Sequence, residues 1–119
     1  MTRVSAAIAV TVLATVFPAA SSSAKTFPNR IQITAKEFFY SASTRTVKPG
    51  PAVIQFVNYG EDPHDLRVQR AGGRLYKTPK LDPGSIVDLS ITLVPGKYQL
   101  WCSIADHRKL GMSATLTVK

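Results

Sequence analysis

The sequence predicts an all-β domain, folded as an antiparallel sandwich or barrel. Short segments of alternating apolar and polar residues recur from residue 30 to the end of the chain, and glycine- and proline-containing turns separate them. No segment of ten or more residues carries the apolar spacing of an amphipathic helix. Several short strands at regular spacing favour two packed sheets or a closed barrel.

The first predicted strands can be placed in order along the chain. Residues 30–38 alternate and residues 52–58 are rich in apolar side chains, with a Lys-Pro-Gly turn between them. Residues 59–63 are expected to form a loop, and residues 64–70 alternate again. Residues 71–81 contain two glycines and a proline, which predicts an irregular connection.

Three more strands are predicted in the second half of the chain. Residues 86–94 place four apolar side chains on one side of a strand. Residues 97–102 follow a Pro-Gly turn and end at Cys102, which shares its side with the apolar residues. The last strand is predicted over residues 112–118, and its first residue, Met112, lies on the apolar face.

Residues 1–24 differ from the rest of the chain. A short positive start precedes an uncharged, mostly apolar run over residues 4–20, and Ser22 and Ala24 supply the small residues that signal peptidase requires. This order predicts a secretory signal peptide, with residues 25–119 as a single exported domain, periplasmic or extracellular. An uncleaved membrane anchor is the alternative, although the apolar run is at or below the ~17–25 residues that span a bilayer.

The number of cysteines and the net charge limit the kinds of ligand and partner that the chain is expected to bind. Small exported domains ordinarily use disulfides, but Cys102 is the only cysteine, so no internal disulfide can form. A bound metal would occupy this otherwise reactive thiol. The net charge of +8 becomes +7 without residues 1–24, because Arg3 is the only charge removed. Export and the scattered positions of the basic residues argue against nucleic acid as a partner.

Both histidines, the only cysteine and the only methionine after Met1 fall in two places. Cys102, His107 and Met112 follow a C-x4-H-x4-M spacing between two predicted strands, and His64 lies on a separate loop. One thiolate, two imidazoles and a weak thioether suit a copper ion that cycles between two oxidation states. We therefore predict one copper per chain, bound by these four side chains. Each of them alone would more often be packed in the core or solvated, but their concurrence favours a metal site.

In these segments the sequence resembles the cupredoxins, a family that includes plastocyanin, amicyanin, azurin and rusticyanin. The resemblance covers residues 30–119 and rests on four parts: Pro49-Gly50, N-x-G-x-x-P-H at residues 58–64, Pro95-Gly96-x-Tyr98, and the loop at residues 102–112. The loop spacing is more similar to that of rusticyanin than to that of plastocyanin. The resemblance implies a Greek-key β-sandwich, a type 1 (blue) copper at one end, and single-electron transfer.

One departure from the family follows the first histidine. Many cupredoxins have asparagine there, which hydrogen-bonds toward the residue after the cysteine and ties the two ligand loops together, whereas this chain has Asp65. We expect Asp65 either to accept a hydrogen bond from Ser103 or to face solvent. In the first case its carboxylate would favour Cu(II) and lower the reduction potential.

The ligand set also bears on the class of activity. Four protein ligands would leave no open position on the metal, so we expect no enzymatic activity and no small-molecule substrate. A Cys102–His107 pair also resembles a nucleophilic dyad, but the two residues are five apart in one tight loop, with no room for a substrate cleft. A copper carrier without a redox role remains the alternative.

The net charge predicts the partners. A monomer with a mature charge of +7 is expected to meet redox proteins with an acidic surface, such as a cytochrome, an oxidase or a reductase. In the resembled family, electrons pass through an apolar patch around the second histidine. Here that patch would surround His107. It would contain Pro63, Ile104 and Leu110, and Arg108 and Lys109 would lie at its rim. Trp101 is expected to point outward and either offers a second route or covers the sheet.

Overall fold

The computed structural model describes residues 2–23 and 27–119. Residues 2–23 are exposed and lie in neither helix nor strand. Within the described residues, no helix is long and apolar enough to cross a membrane. The predicted cleavage site at Ala24 lies outside the described residues, so the division into a signal peptide and a domain over residues 25–119 stays a prediction.

Nine strands in the described part of the chain form two stacked sheets. They are β1 (Asn29–Lys36), β2 (Phe39–Ala42), β3 (Thr46–Val47), β4 (Gly50–Asn58), β5 (Arg67–Arg70), β6 (Leu75–Lys77), β7 (Ile86–Leu93), β8 (Gly96–Trp101) and β9 (Ser113–Val118). The first sheet has the order β2-β1-β4-β7, and the second has the order β3-β9-β8-β5-β6. The predicted all-β sandwich is confirmed.

The expectation of an antiparallel sandwich was wrong at two pairings. Strand β1 pairs with β4 in parallel, and β3 pairs with β9 in parallel. The chain leaves the first sheet after β2, visits the second sheet as β3, and returns beside β1 running in the same direction. Apolar alternation indicates which side of a strand is buried but not which way its neighbour runs, so the sequence did not show this.

Two segments differ from their predicted structure. The connection at residues 71–81 contains β6, which forms a short hairpin with β5. The strand predicted over residues 64–70 begins only at Arg67, and His64 instead forms an isolated bridge with Leu81. A bridge of one residue pair leaves no periodicity for a sequence pattern to detect.

The core fills the space between the sheets and continues into the end where the predicted ligands lie. Tyr98 and Leu100 of β8 point inward with Cys102, as predicted, and are at most 3% exposed. Phe56 of β4 is fully buried between the sheets. Burial of each large apolar side chain contributes about 1.5–3 kcal/mol. Cys102 and Met112 belong to this same cluster, so the end that carries the predicted ligands is built on the core.

Candidate metal centre

Cys102, His107 and Met112 lie on one loop, and hydrogen bonds within the backbone of this loop hold its two ends together. Cys102 directly follows β8, and its N–H donates to the carbonyl of Met112 at 3.1 Å. The N–H of Met112 donates to the carbonyl of His107 at 3.1 Å, and the N–H of His107 donates to the carbonyl of Ile104 at 3.1 Å. These bonds fix the three residues relative to one another.

His64 approaches from the loop after β4. Its N–H donates to the carbonyl of Leu81 at 3.1 Å, and its carbonyl accepts the N–H of Leu81 at 2.8 Å. The loop itself is held by the buried Asn58, whose amide donates to the carbonyls of Asp62 and Leu81 at 2.9 and 3.0 Å. The Asn58 oxygen accepts the N–H of Gly60 at 2.9 Å. The asparagine of the N-x-G-x-x-P-H motif therefore shapes the backbone that carries His64.

Three donor atoms converge at this end of the sandwich. His64 Nδ1 lies 3.2 Å from His107 Nδ1, and Cys102 Sγ lies 3.7 Å from the same His107 Nδ1. The three donor atoms all lie within 4.8 Å of one another, and all three side chains are buried. The structure thus brings together the two histidines and the cysteine that the sequence singled out.

This spacing fits a single metal ion. Bonds of about 2.0–2.1 Å to nitrogen and about 2.3 Å to sulfur, spread in a trigonal plane, separate two nitrogens by about 3.5 Å and nitrogen from sulfur by about 3.7 Å. The two Nδ1 atoms, 3.2 Å apart, and Cys102 Sγ, 3.7 Å from His107 Nδ1, lie close to these values, and the three donor atoms all lie within 4.8 Å of one another. Two imidazoles and one thiolate in such a plane form the donor set that suits copper.

Comparison with known protein families shows which family the chain belongs to. The model of the cupredoxin-like domain matches residues 6–118, which is nearly the whole chain. This protein belongs to the cupredoxin-like family. The resemblance seen in the sequence is therefore confirmed. No curated protein matches the chain.

Several solved structures share the cupredoxin fold at low sequence identity. The reduced auracyanin from Roseiflexus castenholzii is 17% identical, with 80% of this chain and 99% of that chain covered and a TM-score of 0.63. Auracyanin A from Chloroflexus aurantiacus, described as a "blue" copper protein, is 16% identical over 78% and 100% of the two chains, with a TM-score of 0.64. A purple cupredoxin from Nitrosopumilus maritimus is 20% identical over 76% and 99%, with a TM-score of 0.55.

Met112, the fourth predicted ligand of this cupredoxin, is fully buried just before β9. Its backbone bonds to Cys102 and His107 hold it beside the other two residues of the loop. The chain therefore places all four predicted residues at one end of the sandwich. Their role as copper ligands stays a prediction.

Glu37, in the turn between β1 and β2, contacts the site but was not predicted. Its Oε1 lies 3.0 Å from His64 Nε2 and accepts the backbone N–H groups of Glu61 and Asp62 at 2.7 Å each. The N–H of Asp62 is the largest cause that lowers the pKa of Glu37 to about 2, and the bonds from His64 and Glu61 add to it against partial burial. A single acidic residue in a turn gives no sequence signal for such a role.

Asp65 links the two ligand loops. It is 3% exposed, and its Oδ1 accepts the N–H of Ser103 at 2.7 Å. Its Oδ2 accepts the hydroxyl of Ser103 and lies 3.4 Å from Arg67 Nη2. The expected bond to Ser103 is confirmed, and the solvent-facing alternative is wrong. The ion pair with Arg67 was not anticipated, and it offsets part of the negative charge.

The environment of Cys102 favours the protonated thiol when no cation is bound. Burial raises the pKa of the Cys102 thiol above its ordinary value, because a thiolate loses its hydration there. A coordinated metal reverses this effect by stabilising the thiolate directly. Metal binding at Cys102 is therefore expected to release a proton.

His107 is the predicted ligand nearest to the surface. Its side chain is 9% exposed, and its Nε2 lies 3.9 Å from Oδ2 of the half-exposed Asp62. The ring of Phe38 lies 4.8 Å from the imidazole, centroid to centroid, and covers one side of it. Leu110 is 52% exposed, which agrees with an apolar patch at this end of the protein. The sequence did not indicate that Asp62 adds an acidic group there.

The two expected rim residues lie beside Trp101. Trp101 points away from the core, as predicted, and is half-buried. The guanidinium carbon of Arg108 lies 4.7 Å from the centre of its ring, a cation–π contact. Arg108 and the exposed Lys109 both line a shallow cleft that includes Trp101 and Cys102. Positive charge therefore extends from the loop onto the outer face of β8.

Proposed function

We propose that this cupredoxin is an exported electron carrier whose single copper is bound by His64, Cys102, His107 and Met112. The observation that carries the proposal is the convergence of one nitrogen from each imidazole and Cys102 Sγ within 4.8 Å at a buried site, with the two Nδ1 atoms 3.2 Å apart. Membership of the cupredoxin-like family and the fold shared with blue copper proteins support it.

The contribution of the protein is to hold its side chains in one arrangement. Copper in such a site supplies a one-electron couple between Cu(I) and Cu(II). His64 is fixed through its backbone to Leu81, and Cys102 is fixed through its N–H to Met112. The ligand side chains are buried, so little water must reorganise when the charge changes. Rigid, dry ligands of this kind suit rapid electron transfer more than turnover of a substrate.

The same burial disfavours the carrier alternative. A carrier that hands its metal to another protein needs ligands that the acceptor can reach, whereas His64 and Cys102 are at most 1% exposed. Only the edge of His107 approaches the surface. An electron can cross this edge, but an ion cannot leave the site without a rearrangement of the loop.

Export, a monomeric state and acidic partners complete the proposal. The apolar run over residues 4–20 followed by Ser22 and Ala24 supports export with cleavage after Ala24. Mass measurement of the protein recovered from the producing cell would test the cleavage site. The charge of +7 over residues 25–119 supports redox partners with an acidic surface.

Copper titration of the purified chain tests the central claim. We expect one equivalent of Cu(II) to produce an intense thiolate-to-copper absorption band and a reversible potential by voltammetry. Cys102→Ser should abolish the band and leave the fold intact, since serine offers no soft thiolate and is of similar size. A band retained in Cys102→Ser would remove Cys102 from the ligand set. A coloured wild-type protein without a reversible potential would favour the carrier.

A further inference from the structure

We propose that Glu37 is a positioning residue for His64: its carboxylate holds the Nε2–H tautomer, which turns the unprotonated Nδ1 toward the metal, and its charge favours Cu(II). The inference rests on the proposed role of His64 as a copper ligand. It adds a residue from a third segment, the turn between β1 and β2, to the two loops that carry the predicted ligands.

The hydrogen-bond geometry fixes which nitrogen carries the proton. Glu37 Oε1 accepts the N–H groups of Glu61 and Asp62, both at 2.7 Å, so this oxygen acts as an acceptor. The third contact of the same oxygen, at 3.0 Å, is His64 Nε2, which must then be the donor. In a neutral imidazole, a proton on Nε2 leaves a lone pair on Nδ1. That lone pair belongs to the nitrogen that lies 3.2 Å from His107 Nδ1, another of the predicted ligands.

The carboxylate is held in place independently of His64. The two backbone donors lie in the loop that leads to His64, so Glu37 clamps this loop to the end of β1. Gly60 in the same loop leaves the room that this clamp needs, because a Cβ at this position would lie 2.3 Å from Glu37 Oε1. A side chain at position 60 would push the carboxylate away, since the obstructed atom is the far end of a flexible side chain. The absence of a side chain at Gly60 therefore lets the Glu37 carboxylate keep its place in this chain.

A carboxylate bonded to a metal-ligating imidazole affects the metal in two ways. It orients the ring and raises its basicity, and loss of such a partner typically lowers metal affinity by about 10–100-fold. It also adds a negative charge near the metal, which stabilises Cu(II) relative to Cu(I) and lowers the potential. The His64 side chain is fully buried and Glu37 is 28% exposed, so the pair is only partly screened by water.

Four variants separate these effects. Glu37→Gln keeps an oxygen that the same two backbone N–H groups can bind, but removes the charge. Glu37→Ala removes both the bond and the charge. Gly60→Ala displaces the carboxylate without altering its charge. Glu61→Gln is the matched control, because it makes the same Glu-to-Gln change at an exposed side chain of the same loop.

The first readout needs no copper. ¹⁵N shifts of the His64 imidazole in the metal-free protein should show a proton on Nε2 in wild type, Glu37→Gln and Glu61→Gln. Glu37→Ala and Gly60→Ala should shift toward a mixture of tautomers. These two variants should also bind Cu(II) about 10–100-fold more weakly than wild type. Glu37→Gln should bind copper and have a higher potential than both wild type and Glu61→Gln.

The outcomes distinguish this inference from the proposed function. If wild type forms the thiolate–copper band while Glu37→Ala and Gly60→Ala leave both the His64 shifts and Cu(II) affinity unchanged, the positioning role is overturned and the electron carrier stands. If Glu37→Gln and Glu61→Gln change the potential equally, the charge role is overturned. If wild type binds no copper, the proposed function fails, and the tautomer measurement still decides what Glu37 does. Should Glu37→Ala not fold, Gly60→Ala provides the same comparison.

Discussion

The Asp65 carboxylate accepts the backbone N–H of Ser103 at 2.7 Å, which joins the residue after His64 to the residue after Cys102. The bond crosses between two loops that are 38 residues apart in the chain. Because each loop carries a predicted ligand, the distance between His64 and Cys102 depends on it. An asparagine would offer the same acceptor, so the consequence of aspartate lies in its charge and in the pairing with Arg67.

Asp65→Asn is expected to preserve the link between the loops and to raise the reduction potential. The amide oxygen can still accept the Ser103 N–H, but a neutral bond replaces a charged one and the ion pair with Arg67 is lost. The free energy of unfolding of the metal-free protein should fall by about 1 kcal/mol. Voltammetry and urea unfolding measure the two effects. Arg67→Gln is the opposing control, since it leaves the carboxylate without its cation and should lower the potential. A shift of the same sign in both variants would contradict this electrostatic explanation.

The sequence predicted the fold class and the convergence of three predicted ligands because both leave a pattern. The inward-facing Tyr98 and Leu100 of β8 and Cys102 directly after it recur at every second position, and the chain uses its only cysteine at the site. The parallel pairing of β1 with β4 leaves no such pattern. Glu37 could not be predicted either, because its contact with His64 depends on how a turn and a loop 27 residues away meet in space.

Asn58→Ala is expected to destabilise the fold more than its small volume change implies. The fully buried amide makes three backbone hydrogen bonds, two within the loop before His64 (to Gly60 and Asp62) and one to the carbonyl of Leu81. Alanine leaves the N–H of Gly60 and the carbonyl of Asp62 without this partner. The loss should be about 1–3 kcal/mol in the free energy of unfolding, measured by urea titration. Asn29→Ala is the matched control, because the Asn29 amide makes one exposed bond to the carbonyl of Lys48. Equal losses in the two variants would show that Asn58 does not hold the loop.

Met112→Gln is expected to keep copper bound and to lower the reduction potential. A harder oxygen donor in place of the thioether favours Cu(II). Because Met112 is fully buried, an unpartnered amide should also cost the metal-free protein about 1–3 kcal/mol. Met112→Leu supplies the comparison, since it keeps the apolar packing, removes the donor and should raise the potential. Identical spectra and potentials in wild type and both variants would mean that Met112 is only a core residue.

The positive surface near the site is expected to make electron transfer sensitive to salt. With an acidic cytochrome as the partner, steering raises the rate of association, and salt screens it over about 8 Å at physiological ionic strength. The second-order rate measured by stopped flow should therefore fall as ionic strength rises. A rate that does not change with salt would mean that the charge of +7 over residues 25–119 only maintains solubility.

Reversal of two charges tests where that steering acts. Arg108→Glu with Lys109→Glu changes the charge of residues 25–119 from +7 to +3, since each substitution removes two units. It should slow the reaction at low salt and leave the copper spectrum unchanged, because both side chains lie outside the ligand set. Lys48→Glu with Lys119→Glu makes the same change at exposed positions shortly before β4 and directly after β9, at the opposite end of the sandwich. Because net charge is equal in the two variants, a partner that docks beside His107 and Trp101 should react more slowly with the first. If both variants react equally slowly, the salt effect comes from the net charge of the whole protein. The partner would then not dock at the end that carries His107 and Trp101.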